Sequence, residues 1–553
     1  MTDVTYRDHL LGASLAMFYL AILMLTASDL AMSRDESFYV DASQSYGHWL
    51  LFFLEHPKEA AEQAAIDRSW GYNHEHPSLM KAASSVTSLL HIKWKIFRSD
   101  SLAFRFPGMV CGSLLLWLLY IFGTRLHGRV VGIVATLGFA LIPRIFYHAH
   151  LHAFDVPIVL LMTLVVYCYW RSLTRPHWAL WTGLAFGFAL ATKHNSWILP
   201  IVLLVHWVWM RAGTYRVKVT WHKRYPLALL AMVFLSPFVF IALWPWLWHD
   251  TLDRIGSYIA FHTHHAQHHG IINVAYFGKN LFRPPVPVEL PFVLTAFTLP
   301  ATFVVFFLGG VALRLRYIVP RGLVSPLVFG ARPDRDPIAS DVLILGCFLA
   351  PLVLIALPST PKFGGTKHWF PAYPFMAIYF GLGVRYVGLR LGEAFKQRGT
   401  RWARAVPIAT ASLCLSPSIA ETIHSHPMAL SHYTMLAGGV RGAATHGMHR
   451  QFWGFTTGSA VNFLVRNLPK GGKVWLCDTT AGAWHMLQRD GLVPKNINAA
   501  HAMADADYIL VHHELHFAEV DFQAWVALST TQPAHVIAYD GVPIISIYAG
   551  KRK

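Results

Sequence analysis

The stretch of sequence that decides the fold is Leu10–Ser43, LLGASLAMFYLAILMLTASDLAMSRDESFYVDAS. Its first part is apolar over roughly 20 residues, the length that an α-helix needs to cross the hydrocarbon core of a bilayer. No small-x-small cleavage pattern follows and further apolar segments come later, so we interpret it as a retained anchor rather than a signal peptide. Two acids, Asp35 and Glu36, stand side by side directly after it. The stretch therefore predicts a membrane protein with two carboxylates at the end of its first span.

The composition indicates that many more membrane spans follow. Of 553 residues, 54% are hydrophobic and only 14% are charged, against about 25% charged residues in a typical soluble domain. The mean hydropathy is correspondingly high, +0.40. We therefore expect an all-α polytopic membrane domain of about eleven transmembrane helices. The apolar segments lie near residues 10–30, 106–123, 130–148, 151–170, 177–192, 196–210, 226–247, 290–313, 341–358, 369–386 and 404–420.

The formal net charge of +17 is distributed as a signal of membrane topology. Most of the excess Lys and Arg lies in alternate short loops, such as residues 211–224, 314–335 and 385–404. Cytoplasmic loops carry such an excess, so we expect these loops and the N-terminus in the cytoplasm of a multi-pass inner-membrane protein. The intervening loops and the tail then face outward, to the periplasm. No basic patch is joined to a nucleic-acid-binding motif, so we expect membrane lipids and no nucleic acid as partners.

The chain divides into two regions with different patterns. Residues 1–421 form the expected membrane domain, which includes a first outer loop with amphipathic helices, 31–103, and a long outer loop, 248–289. Residues 422–553 instead contain the short β-type runs GKVWLCDTT, ADYILVHHEL and VPIISIYAG, separated by helical or turn-rich segments. This pattern predicts a small C-terminal α/β domain on the outer face.

The ionisable residues of the membrane domain concentrate at the predicted outer ends of its spans. Examples are YHAHLHAFD at residues 147–155, ATKHNSW at 191–197 and STPKFGGTKHWFPAYP at 359–374. A transporter would place such groups near the bilayer midplane, whereas a lipid-linked substrate keeps its headgroup at this outer level. A phosphate leaving group needs cations, and a hydroxyl acceptor needs a base such as a carboxylate. These residue types predict an enzyme acting on a lipid-linked substrate, although a lipid-phosphate hydrolase would use the same groups.

Several motifs, in this order along the chain, resemble one known family. They are RDESFY, NHEHPSLMK, LIPRIFYHAHLHAFDVPIV, LATKHNSWILP, PWLWHDTLDRIGSYIAFHTHH and KHWFPAYPFMAI. The chain resembles the C-type integral-membrane glycosyltransferases, in the protein O-mannosyltransferase-like group that includes the lipid A aminoarabinose transferases. The resemblance covers roughly residues 1–460. The chain has HPSL where the aminoarabinose transferases usually carry KPPL, which argues against lipid A as the acceptor.

The resemblance implies an inverting hexosyltransferase that moves a sugar, such as mannose, from a polyprenyl phosphate to an acceptor hydroxyl on the outer side. By position, Asp35 is the general base. Aminoarabinose-type transfer to a lipid or glycan is one alternative, and a transporter or flippase for a lipid-linked sugar is another. The candidate substrate-binding residues are Glu36, His76, Asp155, Lys193, His262, His265, Lys367 and His368. Simpler interpretations compete for several of them, since Asp155 suits a helix cap and a lysine such as Lys193 can reach the headgroups from a span end.

The histidine-rich segment FHTHHAQHH, residues 261–269, is the one place where a metal site is suggested. His264 with His268, and His265 with His269, stand four residues apart, which would put each pair on one face of a helix. No HExxH pattern accompanies them, and the family resemblance implies no catalytic metal. The five cysteines show no CxxC spacing. We therefore expect no metal cofactor, zinc site or disulfide framework.

Overall fold

The apolar segments form helices, because a backbone in lipid must satisfy its hydrogen bonds within each segment. The computed structural model describes residues 2–211, 225–264, 273–321, 337–360, 362, 364–396 and 399–550. The helices of the membrane region and its loops are α1 (Tyr6–Thr26), α2 (Arg34–Glu55), α3 (Pro57–Ala60), α4 (Gln63–Trp70), α5 (Leu79–Trp94), α6 (Asp100–His127), α7 (Arg129–Ala140), α8 (Pro143–Ala149), α9 (Asp155–Ser172), α10 (Trp178–Leu190), α11 (Leu199–Arg211), α12 (Leu227–Ala242), α13 (Thr251–Thr263), α14 (Leu290–Thr298), α15 (Ala301–Arg321), α16 (Pro337–Ala356), α17 (Tyr373–Ala394) and α18 (Thr400–Ser425).

Within the described residues, six helices are long and apolar enough to cross a membrane: α1, α6, α9, α15, α16 and α18. The pair α7 and α8 would make a seventh span, bent by 74°, and α10 and α12 are shorter apolar helices. The expected helical membrane domain is thus confirmed, but a count of eleven spans is not. Proline explains two of the breaks. Leu299, before Pro300, is extended and separates α14 from α15, as the ring of a following proline favours, and Pro143 begins α8.

The C-terminal region contains a five-stranded mixed sheet. Its strands are β3 (Gly472–Leu476), β4 (Ile497–Ala499), β5 (Tyr508–His512), β6 (His535–Tyr539) and β7 (Val542–Ala549), after a hairpin of β1 (Val274–Tyr276) and β2 (Lys279–Leu281) in the preceding region. The order is β4-β3-β5-β7-β6, in which β3 runs parallel to β4 and β5 while β7 is antiparallel to β5 and β6. Helices α19 (Gly439–Thr445), α20 (Gly458–Asn467), α21 (Ala481–Arg489) and α22 (Ala518–Leu528) accompany it. This is the small α/β unit that the strand pattern predicts.

A buried ion pair joins the end of the first span to α2 and α6. Glu36 has no exposed surface, and Arg105 of α6 donates to it from Nε at 2.8 Å and Nη2 at 3.0 Å. The backbone N–H groups of Ser33 and His152 also donate to the Glu36 carboxylate, each at 2.9 Å. Burial alone would raise the pKa of Glu36, but the charge and hydrogen bonds of Arg105 lower it below its usual value. Glu36 is therefore a buried carboxylate that is paired within the protein. The sequence analysis had instead placed it among the candidate substrate-binding residues.

The same arginine also holds the connection between α1 and α2. Its Nη1 donates to the carbonyl of Leu30 at 2.8 Å, and Nη2 donates to that of Ala31 at 2.9 Å. Ser33 and Glu36 form the capping box that begins α2. Since successive helical residues point about 100° apart, Asp35 lies on a different side of α2 from Glu36.

We predict that Arg105→Met lowers the free energy of unfolding by about 3–5 kcal/mol, because the carboxylate of Glu36 would stay buried without its partner. The double variant Glu36→Gln/Arg105→Met should recover part of the loss. Thermal unfolding in detergent measures both. The control is Arg489→Met, which breaks the partly exposed pair of Arg489 and Asp100 at 2.7 Å and should cost less than about 1 kcal/mol. Equal losses in the two single variants would contradict the prediction.

Candidate active site

The predicted outer segments meet around one cavity of about 670 Å³. The start of α2, the loop at residues 72–76, the start of α9 and the turn after α10 contribute side chains to it. Further side chains come from the end of α13, from residues 355–368 and from the C-terminal region. The basic loop residue Arg129, at the opposite end of the membrane helices, instead pairs with Asp8 at 2.6 Å. Side chains from each of these segments, which the sequence predicts to meet at one level, therefore line the same cavity.

Asp35 lies at the wall of this cavity with a side chain that is 28% exposed. Lys367 Nζ lies 3.3 Å from its Oδ2, and Arg34 Nε lies 3.6 Å from its Oδ1. Lys367 is itself buried, and its ammonium stands 4.1 Å from the ring centre of Trp453. A carboxylate that is open to the cavity can accept a proton from a bound hydroxyl group, and the two neighbouring cations are close enough to influence this transfer.

Lys193 and Asp155 form a second, buried ion pair in the cavity wall. Lys193 Nζ lies 2.6 Å from Asp155 Oδ1, and His148 Nδ1 lies 3.5 Å from the other carboxylate oxygen. Burial lowers the pKa of Lys193, while the charge of Asp155 opposes that shift. Asp155 begins α9 and Lys193 follows the end of α10, so helix ends position both groups.

Two histidines of the cavity, His76 and His194, are buried in surroundings that favour their neutral form. Burial lowers the pKa of His76 and of His194 well below the usual value for histidine, and neighbouring cations add to the effect. The ring of His194 stacks on that of His262 at a centroid distance of 4.0 Å, and His262 Nε2 lies 3.0 Å from the backbone oxygen of Glu75. Positive charge in the cavity therefore comes from its lysines and Arg34 rather than from these rings.

Lys81 holds the loop at residues 73–76, which contributes side chains to the cavity. It is completely buried, and its Nζ donates to the backbone oxygens of Asn73 at 2.6 Å and His76 at 2.8 Å. The side-chain oxygen of Asn73 accepts a third bond at 3.2 Å. Burial lowers the pKa of Lys81 to about 7, with Glu75 opposing the shift.

The structure brings seven of the predicted residues to the cavity: Asp35, His76, Asp155, Lys193, His262, Lys367 and His368. His368 is buried, and its backbone oxygen accepts a bond from Asn195 Nδ2 at 2.9 Å. Glu36 is not among the lining residues and is instead buried in its pair with Arg105. His265, with most of the histidine-rich segment, lies outside the described residues. Among the residues that the structure does describe, no group of three or more His, Cys, Asp or Glu is arranged to hold a metal ion.

The C-terminal region supplies cavity residues that the sequence did not reveal. They are Asp478, Glu514, His516 and His449. Asp478 contacts α2 through Arg34, whose Nη1 lies 2.5 Å from Asp478 Oδ1. Asp478 follows strand β3 and Glu514 follows its parallel neighbour β5. Because the carboxyl ends of neighbouring parallel strands meet at one edge of a sheet, an acid after each of the two runs was the signal that could have identified them.

Comparison with known proteins identifies one matching family model and several similar structures. Residues 86–244 match the family model described as dolichyl-phosphate-mannose-protein mannosyltransferase, which confirms the resemblance over that part of the chain. No curated protein matches the sequence.

Two solved structures illustrate the structural similarity. ArnT from Cupriavidus metallidurans, bound to undecaprenyl phosphate, is 13% identical over 97% of each chain with a TM-score of 0.47. The archaeal oligosaccharyltransferase AglB from Archaeoglobus fulgidus, in complex with an inhibitory peptide and a dolichol-phosphate, is 10% identical over 95% of this chain and 71% of its own, with a TM-score of 0.49.

We predict that the stability contributed by Lys81 depends on pH. The native protein releases the Lys81 proton near pH 7, whereas the unfolded chain keeps it until about pH 10.4. The unfolded state then binds more protons between these values, so the wild type should gain stability relative to Lys81→Met as the pH rises from 7 to 10. Thermal unfolding in detergent at several pH values measures the difference. The control is Lys58→Met, since Lys58 is exposed. A difference in stability between the wild type and Lys81→Met that stays constant across this pH range would refute the prediction.

Proposed function

We propose that this protein is an inverting glycosyltransferase that moves a sugar from a polyprenyl phosphate to an acceptor hydroxyl group. The observation that carries the proposal is the position of Asp35, a partly exposed carboxylate in a cavity that also holds the buried lysines Lys193 and Lys367. The family match over residues 86–244 supports a donor of the polyprenyl-phosphate sugar class. We further propose a location in the inner membrane with the cavity on the periplasmic side, as the distribution of Lys and Arg suggests.

In this proposal, Asp35 is the general base. One of its oxygens takes the proton of the acceptor hydroxyl group while the hydroxyl oxygen forms a bond to the anomeric carbon of the sugar. The bond from that carbon to the phosphate oxygen breaks on the opposite side, and the phosphate leaves with the electron pair. Attack opposite to the leaving group inverts the configuration of the anomeric carbon.

The phosphate of the donor would be held by Lys367 and Lys193. Lys367 contacts Asp35 at 3.3 Å, and a bound phosphate offers it a second anionic partner with more acceptor oxygens. Moving the ammonium toward the phosphate would stabilise the leaving group and at the same time free the Asp35 carboxylate to accept a proton. Lys193 is held in the wall by Asp155, so its charge is already positioned before a donor arrives.

The sugar itself would lie among the aromatic side chains of the cavity. Tyr39, Phe154, Phe452 and Trp453 line it, and flat rings suit the apolar faces of a pyranose. We propose a hexose, with mannose the first choice because the matching family model is described by a mannose donor. Transfer of aminoarabinose to a lipid or glycan is the alternative reaction within the same chemistry.

A transporter of lipid-linked sugars is a less suitable proposal for this cavity. Its charged groups stand at helix ends, with Asp155 at the first residue of α9 and Lys193 just after α10. Asp35 likewise follows the end of the first span. Transporters carry their substrate groups near the bilayer midplane, so the placement favours an enzyme.

We predict that Asp35→Asn abolishes transfer, with kcat reduced at least about 100-fold, because the amide cannot take the acceptor proton. Purified protein is incubated with a panel of polyprenyl-phosphate sugars, and mass spectrometry identifies which donor is consumed and what glycoside forms. The matched control is Asp41→Asn, an exposed acid on the same helix, which should retain activity. Normal turnover by Asp35→Asn would reject its role as base. Counterflow of a lipid-linked sugar without any glycoside product would instead support the transporter.

We predict that Lys367→Met raises the KM for the lipid donor roughly tenfold or more, because a charge-assisted bond to the phosphate is lost. Initial rates at varied donor concentration measure the change. Lys93→Met is the matched control, since Lys93 is exposed and also lies near an indole, 5.0 Å from the ring centre of Trp94. A donor KM that is unchanged in Lys367→Met would argue against phosphate binding by this lysine.

A further inference from the structure

Arg34 stands between the carboxylate of the membrane domain and a carboxylate of the C-terminal region. Its Nη1 lies 2.5 Å from Asp478 Oδ1, while its Nε lies 3.6 Å from Asp35 Oδ1. Its backbone N–H donates to the carbonyl of Trp453 at 2.9 Å. The short contact is therefore with Asp478 and the long one with Asp35, although Asp35 is the next residue in the chain.

The side chain of Asp478 is held in place by neighbouring residues. It is 4% exposed, it follows strand β3, and Gln451 Nε2 donates to its Oδ2 at 3.3 Å. The side-chain amide of Gln451 also donates to Glu514, which in turn pairs with His449 at 2.7 Å. The sheet and the segment around residue 451 thus hold the Asp478 carboxylate against Arg34.

This arrangement has a consequence for Asp35. A guanidinium group readily forms two parallel hydrogen bonds with one carboxylate, and the neighbouring Asp35 is within its reach. Such a paired carboxylate takes up a proton less readily, because the charged form is stabilised. Asp478 binds Nη1 of the Arg34 guanidinium, and this contact keeps the guanidinium from forming two hydrogen bonds with Asp35.

We propose that Asp478 of the C-terminal region is a positioning residue for the transfer reaction, which acts by holding Arg34 away from a two-bond pair with Asp35. The C-terminal region thereby contributes to catalysis without contacting the reacting atoms. This inference rests on the proposed function, in which Asp35 is the base.

Protonation of Asp478 should weaken this hold. Burial raises the pKa of Asp478 to about 6, Arg34 opposes that shift, and Glu514 adds to it. The charged and titratable groups around the pair of Arg34 and Asp478 are Asp35 with its partner Lys367, Glu514 with its partners His449 and His516, and His512 at the end of β5. As the pH falls through about 6, Asp478 gains a proton and loses its charge, so kcat of the wild type should decline below that pH.

The test compares kcat and KM for the variants Asp478→Asn, Asp478→Glu, Arg34→Ala and Arg34→Ala/Asp478→Asn, with the donor that the panel identifies. Asp478→Asn should lower kcat roughly 10- to 100-fold, as small displacements at a catalytic group do, and leave the donor KM within about threefold. Asp478→Glu should recover most of kcat. In the Arg34→Ala background, the change at Asp478 should have no further effect, because its action runs through Arg34.

The control for a general loss of domain contact is Asp540→Asn. Asp540 pairs with His424 of α18 at 2.9 Å and lies outside the cavity, so its loss should leave kcat unchanged. An Asp478→Asn variant with wild-type kcat, or one whose effect keeps its size in the Arg34→Ala background, overturns the proposal. Should Asp478→Asn fail to fold, the pH profile of Arg34→Ala decides: a decline in kcat that begins at a lower pH than in the wild type supports the proposal, and one that still begins at about pH 6 overturns it.

Asp35→Asn is measured in parallel so that two failures can be told apart. Full activity of Asp35→Asn would reject Asp35 as the general base and with it the proposed function. An inactive Asp35→Asn beside a fully active Asp478→Asn leaves the proposed function in place and rejects only the role of Asp478.

Discussion

The ion pair of Glu36 and Arg105 is the interaction on which the rest of the site depends. It connects α6 to the junction between the first span and α2, and the backbone N–H of His152 completes it. A buried carboxylate is costly without a partner, so breaking this pair would destabilise the junction. Because Glu36 is turned inward by Arg105, its neighbour Asp35 is turned toward the cavity. The direction of the proposed base thus follows from a pair that itself takes no part in the chemistry.

Three cations that line the cavity are paired with carboxylates of the protein itself. Lys193 faces Asp155, Lys367 faces Asp35, and Arg34 faces Asp478. Burial keeps histidines such as His76 neutral. A donor phosphate would therefore enter a cavity of paired charges and compete for cations that already have partners. Such competition can release a carboxylate when the phosphate binds, which would couple donor binding to activation of the base.

The C-terminal region meets the membrane domain at this cavity. Asp478 and Glu514 follow two neighbouring parallel strands and reach the start of α2, while Arg489 of α21 pairs with Asp100 of α6. The sheet is thus attached both at the cavity and beside it. Strand ends in a parallel sheet present polar side chains at one edge, and here that edge closes one wall of the site.

The sequence by itself determined that the protein is a polytopic membrane protein, and its motifs carried the family resemblance that proposes Asp35 as the base. The length of the apolar segments and the distribution of Lys and Arg are local properties. They were sufficient to predict that Lys193, Lys367 and His76 lie at the same membrane interface. The number of spans was not determined in this way, because prolines such as Pro143 and Pro300 divide apolar segments that look continuous in the sequence. The different positions of Asp35 and Glu36, and the contact of Arg34 with Asp478, were decided only by the tertiary structure. Both depend on partners about 70 and 440 residues away in the chain, and no local pattern specifies which buried charge will find which partner.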